Sequence, residues 1–311
     1  MNDNPRNNWK TIQFSEWLIN RGKAENTIKT YEKAVAYFDN WYFSTFNEQV
    51  NYKEVRPADI REWKNYMIKE QKKKDGQHLS IRTINNYLES IKTFFRYLVS
   101  IGKIDVNPTE SIKPQKVNME YTPRWLDKNE QRELIRAIEN PILKGKNPWL
   151  YSRNHVIIYL SLHAGLRISE IVALTIDDFK NGYIQIRDGK GHSAREVPIN
   201  KSLAKSIAEW LEEREKKEPQ SNHFLISQKK NPLTESGIYN LFNRLSKETR
   251  IEELSPHTLR HTFAHNLIEK GEPINHVAHL LGHSDLETTR IYISPKKKNL
   301  EDAVNKLSDE Y

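Results

Sequence analysis

The chain has 311 residues, no cysteine, 49 Lys and Arg against 41 Asp and Glu, and a net charge of +8. Disulfides and Cys-ligated zinc are excluded, and a reducing, cytoplasmic setting fits. The N-terminal MNDNPRNNWK lacks the apolar stretch of a signal peptide, and no apolar run approaches the ~20 residues that cross a bilayer, so no membrane partner is expected. The length suggests about two domains at ~150 residues each. Excess positive charge favours polyanions, because neutralising phosphates releases counterions, although many basic proteins bind no nucleic acid.

Residues 1–107 are predicted to be helical. Phe14, Trp17 and Leu18 mark a first helix; Thr27, Tyr31, Val35, Phe38 and Tyr42 carry helical spacing in a second. Pro57 suits the first turn of a third, followed by Ile60, Trp63 and Met67. Ser80 is a candidate N-cap for a fourth bearing Ile84, Tyr87, Leu88, Ile91, Phe95 and Leu98. The aromatic stripe is core rather than a base-stacking platform. Pro108, Pro114 and Pro123 then interrupt the pattern, and residues 108–123 form a candidate linker, or alternatively a loop packed on one domain.

Residues 124–311 return to helix with one exception. Tyr183 to Asp188, a turn from Gly189 to Ala194, and Arg195 to Ile199 predict strand, turn, strand. Helices are predicted near 201–216, 234–248, 256–269, 273–281 and 284–292. Leu300, Val304 and Leu307 give a short amphipathic tail helix, able to dock on its own domain or on a neighbouring copy. The fold class expected is mainly α, with a four-helix N-terminal domain and an α-rich second domain holding a small β-hairpin or sheet.

Two segments concentrate chemistry. Ser255-Pro256 starts a helix, placing His257 and Arg260 on one face of its first turn, where free backbone N–H groups favour an anion. The pair could hold a phosphate or simply complete a helix start. In Leu281-Gly-His283-Ser284-Asp-Leu-Glu287, Ser284 and Glu287 form a capping box, and Tyr292 falls about two turns into the helix that follows. A tyrosine there is ordinarily a packing residue.

His163-Ala-Gly-Leu-Arg167-Ile-Ser-Glu170, Gly189-Lys190-Gly191, His257-Thr-Leu-Arg260-His-Thr-Phe-Ala and Leu281-Gly-His283 through Tyr292 occur in this order. Together they resemble the signature of tyrosine recombinases, the phage integrase family that includes the Xer proteins. Ala24 to Tyr31 and Ser80 to Tyr87 are more weakly similar to that family's core-binding domain. The resemblance implies two domains clamped around duplex DNA, and a homotetramer that joins paired half-sites and exchanges strands through a Holliday junction. It implies no cofactor or metal, a prokaryotic nucleoid-associated location, and accessory proteins as a further class of partner. Arg167, Arg260 and His283 would hold the scissile phosphate, and His257 would act as donor and general base. Tyr292 would attack phosphorus, Lys190 would protonate the departing 5′ oxygen, and Glu170 would orient the site. Free tyrosine is only ~0.1% phenolate at neutral pH, a deficit of about 4 kcal/mol that a base or cationic field must supply. Many relatives carry a second Lys or Arg in the hairpin turn, where this chain has His192-Ser-Ala194.

Candidate DNA contacts in the N-terminal domain are Thr27, Lys29, Arg82, Thr83, Asn86, Lys92 and Arg96. Arg82 with Asn86, and Lys92 with Arg96, share faces at i and i+4; solubility is the plainer role. Three other functions compete. His257, His261 and His265 at helical spacing suggest metal, but no H-E-x-x-H occurs. A type IB topoisomerase would use similar residues to relax DNA. A catalytically dead DNA-binding protein would have lost reacting residues that are present here.

Overall fold

The computed structural model describes residues 8–70, 76, 78–116, 123–187, 194–283 and 289. Two compact units divide the chain, Met1–Glu120 and Tyr121–Tyr311. The first holds α1 (Asn8–Ile19), α2 (Glu25–Phe46), α3 (Pro57–Lys69) and α4 (Ile81–Ser100). Local chemistry starts these helices where the sequence predicts. Pro57 opens α3, and the Ser80 hydroxyl accepts the Thr83 N–H at 3.1 Å to cap α4. Along α4 the buried positions Ile84, Leu88, Ile91, Phe95 and Leu98 follow the helical repeat. They meet Phe14 and Leu18 of α1, Phe38 of α2 and Trp63 of α3 in one core. Phe38 meets Trp63 edge-on at 5.2 Å and Phe95 at 6.3 Å, an arrangement that the ring quadrupoles favour.

Beyond α4 the chain stays on this unit for some distance. Ile112 is buried in the same core. Asn85 donates to the Gln115 carbonyl at 2.9 Å and accepts the Gln115 N–H at 2.7 Å. The helix break predicted around Pro108 therefore includes ordered chain up to Gln115. Residues 117–122 lie outside the described residues.

The second unit is built on α7 (Pro148–His163), whose residues from His155 to Leu162 are buried on every side. Helices α9 (Lys201–Glu215) and α11 (Pro256–Glu269) both pack on it. Around them lie α5 (Lys128–Ile138), α6 (Pro141–Lys146), α8 (Ile168–Ala173), α10 (Glu235–Thr249) and α12 (Ile274–Leu281). The helices predicted near 201–216, 234–248, 256–269 and 273–281 are α9 to α12, displaced by no more than a residue. Those predicted over 284–292 and at the tail lie outside the described residues, apart from Thr289.

The sheet is antiparallel in the order β1 (Phe179–Lys180), β2 (Tyr183–Ile186), β3 (Arg195–Pro198). Ile184 faces Val197 and Ile186 faces Arg195. The strand, turn, strand prediction corresponds to β2 and β3. Strand β1 was not predicted, because two residues cannot display an alternating pattern.

Trp63 is fully buried where α2, α3 and α4 converge. Trp63→Ala is expected to destabilise the first unit by about 3–5 kcal/mol through lost burial and a residual cavity, read as a lowered denaturant midpoint.

Candidate active site

The turn from α7 into α8 begins the site. Gly165 has φ +62, and a Cβ there would lie 2.4 Å from the Phe263 ring on α11. Only glycine permits this left-handed turn to pass so close to α11. Arg167 follows as the N-cap of α8, and Glu170 occupies the third helical position. The Glu170 carboxylate accepts the Arg167 backbone N–H at 2.8 Å and its guanidinium at 2.9 Å.

Arg195, the first residue of β3, completes this group. Its two terminal nitrogens meet the two oxygens of Glu170, each at 2.9 Å, in a fork-on-fork pair. Its side chain is 1% exposed. Arg260 of α11 adds a third guanidinium 3.9 Å from the same carboxylate. The three arginines also share a second anchor. Arg195 Nε donates to the Leu280 carbonyl at 2.8 Å, Arg260 to Leu281 at 2.6 Å, and Arg167 to Gly282 at 3.1 Å. These consecutive carbonyls end α12, where the helix dipole is negative and backbone acceptors lack helical partners. Gly282, at φ +64, caps α12; a Cβ there would lie 2.6 Å from Arg195 Nη1.

The electrostatics follow. Burial pushes the Glu170 carboxyl up, but the Arg195 hydrogen bonds and charge, the Arg167 N–H and the Arg260 charge outweigh it, bringing it to about 2. His283, directly after Gly282, is drawn down to about 4 by burial and then by the charges of Arg260, Arg167 and Arg195. Its Nδ1 lies 2.8 Å from the Thr289 hydroxyl. His257, solvent-accessible in the first turn of α11, is lowered by loss of hydration and by Arg260 and Arg167. His261, one turn on, is brought to about 4 by burial, His257 and Arg260. All three imidazoles are thus neutral at pH 7 beside a cluster of positive charge. Ser255 caps α11 by accepting the Thr258 N–H at 3.1 Å, and a pocket lined by Arg124, Ser255, His257 and His261 opens at that end.

Of the residues singled out from sequence, Arg167, Glu170, Arg260 and His283 come together around the end of α12, with His257 on the α11 turn beside them. Lys190 and Tyr292 lie outside the described residues. Arg195 was missed. It shares the inward face of β3 with Val197, and a charge on an inward face needs a partner, so the alternation held the signal. It also brings a positive charge to the end of the turn that His192-Ser-Ala194 leaves without one. His265, the third histidine of the helical series, stacks on Trp125 at 4.3 Å.

In the first unit, Thr27 and Lys29 stand at the start of α2, and Arg82, Thr83, Asn86, Lys92 and Arg96 along α4. Lys29 pairs with Glu25 at 2.6 Å, and Arg96 with Glu89 at 2.6 Å. Arg82 and Asn86 are exposed, Lys92 is half-buried, and the Thr83 hydroxyl lies 2.7 Å from that of Ser80.

Three arginines, histidines and a carboxylate are thus brought together from segments far apart in the chain. Comparison with known proteins identifies the family. The profile of the phage integrase family matches residues 124–299, and that of the phage integrase N-terminal SAM-like domain matches residues 12–103. Tyrosine recombinase XerD of Listeria monocytogenes is 30% identical over 92% of this chain and 93% of its own length. The TnP I resolvase of Bacillus thuringiensis is 27% identical over 95% of this chain and 98% of its own. The Tn1549 transposon integrase, solved with circular intermediate DNA, shares the fold at a TM-score of 0.72 and 20% identity, covering 96% of this chain and 99% of that one. XerH recombinase bound to its difH substrate has a TM-score of 0.66 and 27% identity, with coverage of 89% and 78%. The chain belongs to the phage integrase family of tyrosine recombinases.

Two measurements probe the charge cluster. A carboxyl held low in the folded chain stabilises it above the ordinary value of 4.5, and that stability is lost as pH falls through about 2. Glu170→Gln is expected to cost on the order of 3 kcal/mol at neutral pH and to flatten the acid limb of the melting profile. His283, followed through its imidazole NMR shifts, should titrate near pH 4 in the free protein. Added inorganic phosphate should raise that value, because a bound anion favours the imidazolium.

Proposed function

We propose that this protein is a site-specific DNA recombinase that cuts and rejoins duplex DNA through a covalent 3′-phosphotyrosine. The observation that carries the proposal is the convergence of Arg167, Arg260 and His283 on one point at the end of α12, with His257 at the adjacent helix start. A phosphodiester repels an incoming oxygen. Guanidinium forks and imidazole N–H groups offset that charge and stabilise the further charge developing on the non-bridging oxygens. A guanidinium carries five donors, so the two scaffold bonds of Arg167 leave capacity for a phosphate.

Tyr292 attacks phosphorus. The bond to the 5′ oxygen breaks, and Lys190 supplies the proton that this oxygen takes. The tyrosine proton passes to His257, whose lowered basicity in the free site rises when phosphate neutralises the arginines. The phosphotyrosine conserves the energy of the broken bond, and attack by the 5′ hydroxyl of a second strand reseals the DNA without ATP. Similarity to XerD, to a resolvase and to a transposon integrase supports strand exchange between two sites, rather than relaxation of one duplex. Four protomers acting in pairs through a Holliday junction fit that exchange. Dimer resolution and the integration or excision of a mobile element use the same chemistry and differ in the DNA sequence bound.

Selection of bound fragments from random duplex DNA identifies that sequence. A nicked duplex built on it should trap the wild-type protein as a covalent adduct. Tyr292→Phe, which deletes only the attacking oxygen, should bind the same duplex and give no adduct. An undiminished adduct with the Phe variant would place the nucleophile elsewhere.

A further inference from the structure

We propose that His163 is a positioning residue for Arg167: by accepting a hydrogen bond from Asn200, it clamps the turn that carries this arginine to the start of α9. The inference rests on the reading above that Arg167, Arg260 and His283 hold a phosphate. His163 is the last residue of α7, and that reading gives it no task. Its Nδ1 lies 3.1 Å from the Asn200 side-chain nitrogen. Asn200 is the N-cap of α9, and its Oδ1 already accepts the Leu203 N–H at 2.9 Å. This cap fixes which way the amide points, so its NH2 group faces the imidazole. An amide NH2 can only donate. The His163 Nδ1 is therefore an acceptor, with the ring proton on Nε2.

The pair closes one end of a frame. At the other end Arg195 forks onto Glu170. The segments 163–170 and 195–200 thus meet in opposite senses, tied at both ends, with Arg167 between the ties. The second segment is held by the sheet: β3 pairs with β2 as far as Pro198, and the Ile199 N–H donates to the Gly182 carbonyl at 2.8 Å. The first is a turn whose own backbone bond, from the Leu166 N–H to the Leu160 carbonyl, is long at 3.4 Å. Side-chain ties therefore fix where the chain leaves α7 on its way to Arg167. Without the His163 tie, the turn can shift about its Glu170 end and carry the guanidinium with it.

The tie holds while His163 is neutral, because the imidazolium bears a proton on Nδ1 that opposes the Asn200 donor. The surroundings favour the neutral ring. Burial first, then the charges of His155 and Lys270, lower its affinity for a proton. Tyr159 packs on the ring at 4.6 Å, and Arg132 and Arg136 of α5 line the same groove. The clamp is thus in place at pH 7 and is lost only as pH falls below the ordinary histidine value of 6.5. Asn200→Asp reverses the sign. It keeps the cap of α9 but presents an acceptor to the imidazole, so a proton on Nδ1 strengthens the pair.

Sulfate, an anion of constant charge over the range used, is titrated into the full chain from about pH 8 to about pH 5, with the His283 imidazole NMR shifts reporting its binding. Wild type is compared with His163→Leu, His163→Asn and Asn200→Asp. Leu fills the space without an acceptor. Asn places its Oδ1 where histidine has Nδ1, and it does not titrate. The expected result at neutral pH is that His163→Leu binds sulfate roughly fivefold more weakly, the scale of one hydrogen bond, and that His163→Asn recovers to within about twofold of wild type. On acidification the affinity of wild type relative to His163→Asn should fall. The other histidines are common to both chains, so this ratio isolates His163. For Asn200→Asp the same ratio should rise.

Equal weakening by Leu and Asn, or a wild-type ratio that does not change with pH, overturns the inference, since His163 would then contribute packing alone. Unchanged affinity in His163→Leu overturns it as well. Should the Leu variant fail to fold, the opposite pH trends of wild type and Asn200→Asp decide. A wild-type His283 that does not respond to sulfate overturns the phosphate-holding reading itself, and the inference with it.

Discussion

Guanidinium groups repel one another, and gathering three of them inside a protein requires a counter-charge placed among them. Glu170 supplies it. Its carboxylate meets Arg195 face to face, takes two bonds from Arg167, and lies 3.9 Å from Arg260. The end of α12 supplies the remainder through three successive carbonyls. Helix termini ordinarily satisfy such carbonyls with water or a following turn. Here the orphan acceptors hold cations, so the helix end and the charge cluster stabilise each other. The geometry of the site depends on this exchange.

The cluster remains cationic, and its neighbours are tuned accordingly. One carboxylate and a fractional helix charge do not cancel three arginines. The histidines beside them stay neutral at pH 7, first because burial disfavours the charged form and then because protonation would add to that excess. Neutral imidazoles next to fixed positive charge suit an anionic ligand: the arginines attract it, and the imidazoles gain basicity as it arrives. The described part of this cluster, Arg167, Arg195, Arg260 and Glu170, is thus held in place by the chain's own bonds.

Much of this was legible in the sequence, for reasons that can be named. Ser80 and the pair Ser255-Pro256 signal helix starts by local chemistry alone, and α4 repeats its apolar residues with helical period. His257 and Arg260 share a face because they lie in one first turn. The family resemblance selected Arg167 and His283, which nothing in their immediate neighbourhood required. Long-range partners were less accessible. That Glu170 belongs with Arg195 depends on tertiary packing that brings the start of β3 to α8, and sequence distance gives no measure of it. The burial of α7 on all sides removes the stripe that would reveal which faces α9 and α11 cover. Strand β1 is too short for any pattern, and the Trp125–His265 stack joins residues whose types alone suggest nothing. The N-terminal DNA contacts were read from exposed charges on helices, and Lys29 and Arg96 show that such charges also serve their own helix through ion pairs.

The grip of the arginines on α12 also bears on how the chain comes together in time. The bonds from Arg167 to Gly282 and from Arg195 to Leu280 close loops of 115 and 85 residues. Closing such loops costs configurational entropy before the contacts can repay it, and non-local contacts of this kind slow folding. Helices α7, α9 and α11 need no such closure to acquire their hydrogen bonds. Convergent charge therefore arises only when the final tertiary docking is complete. A chain in which α12 has not docked carries the same basic residues without the concentrated field that their convergence creates.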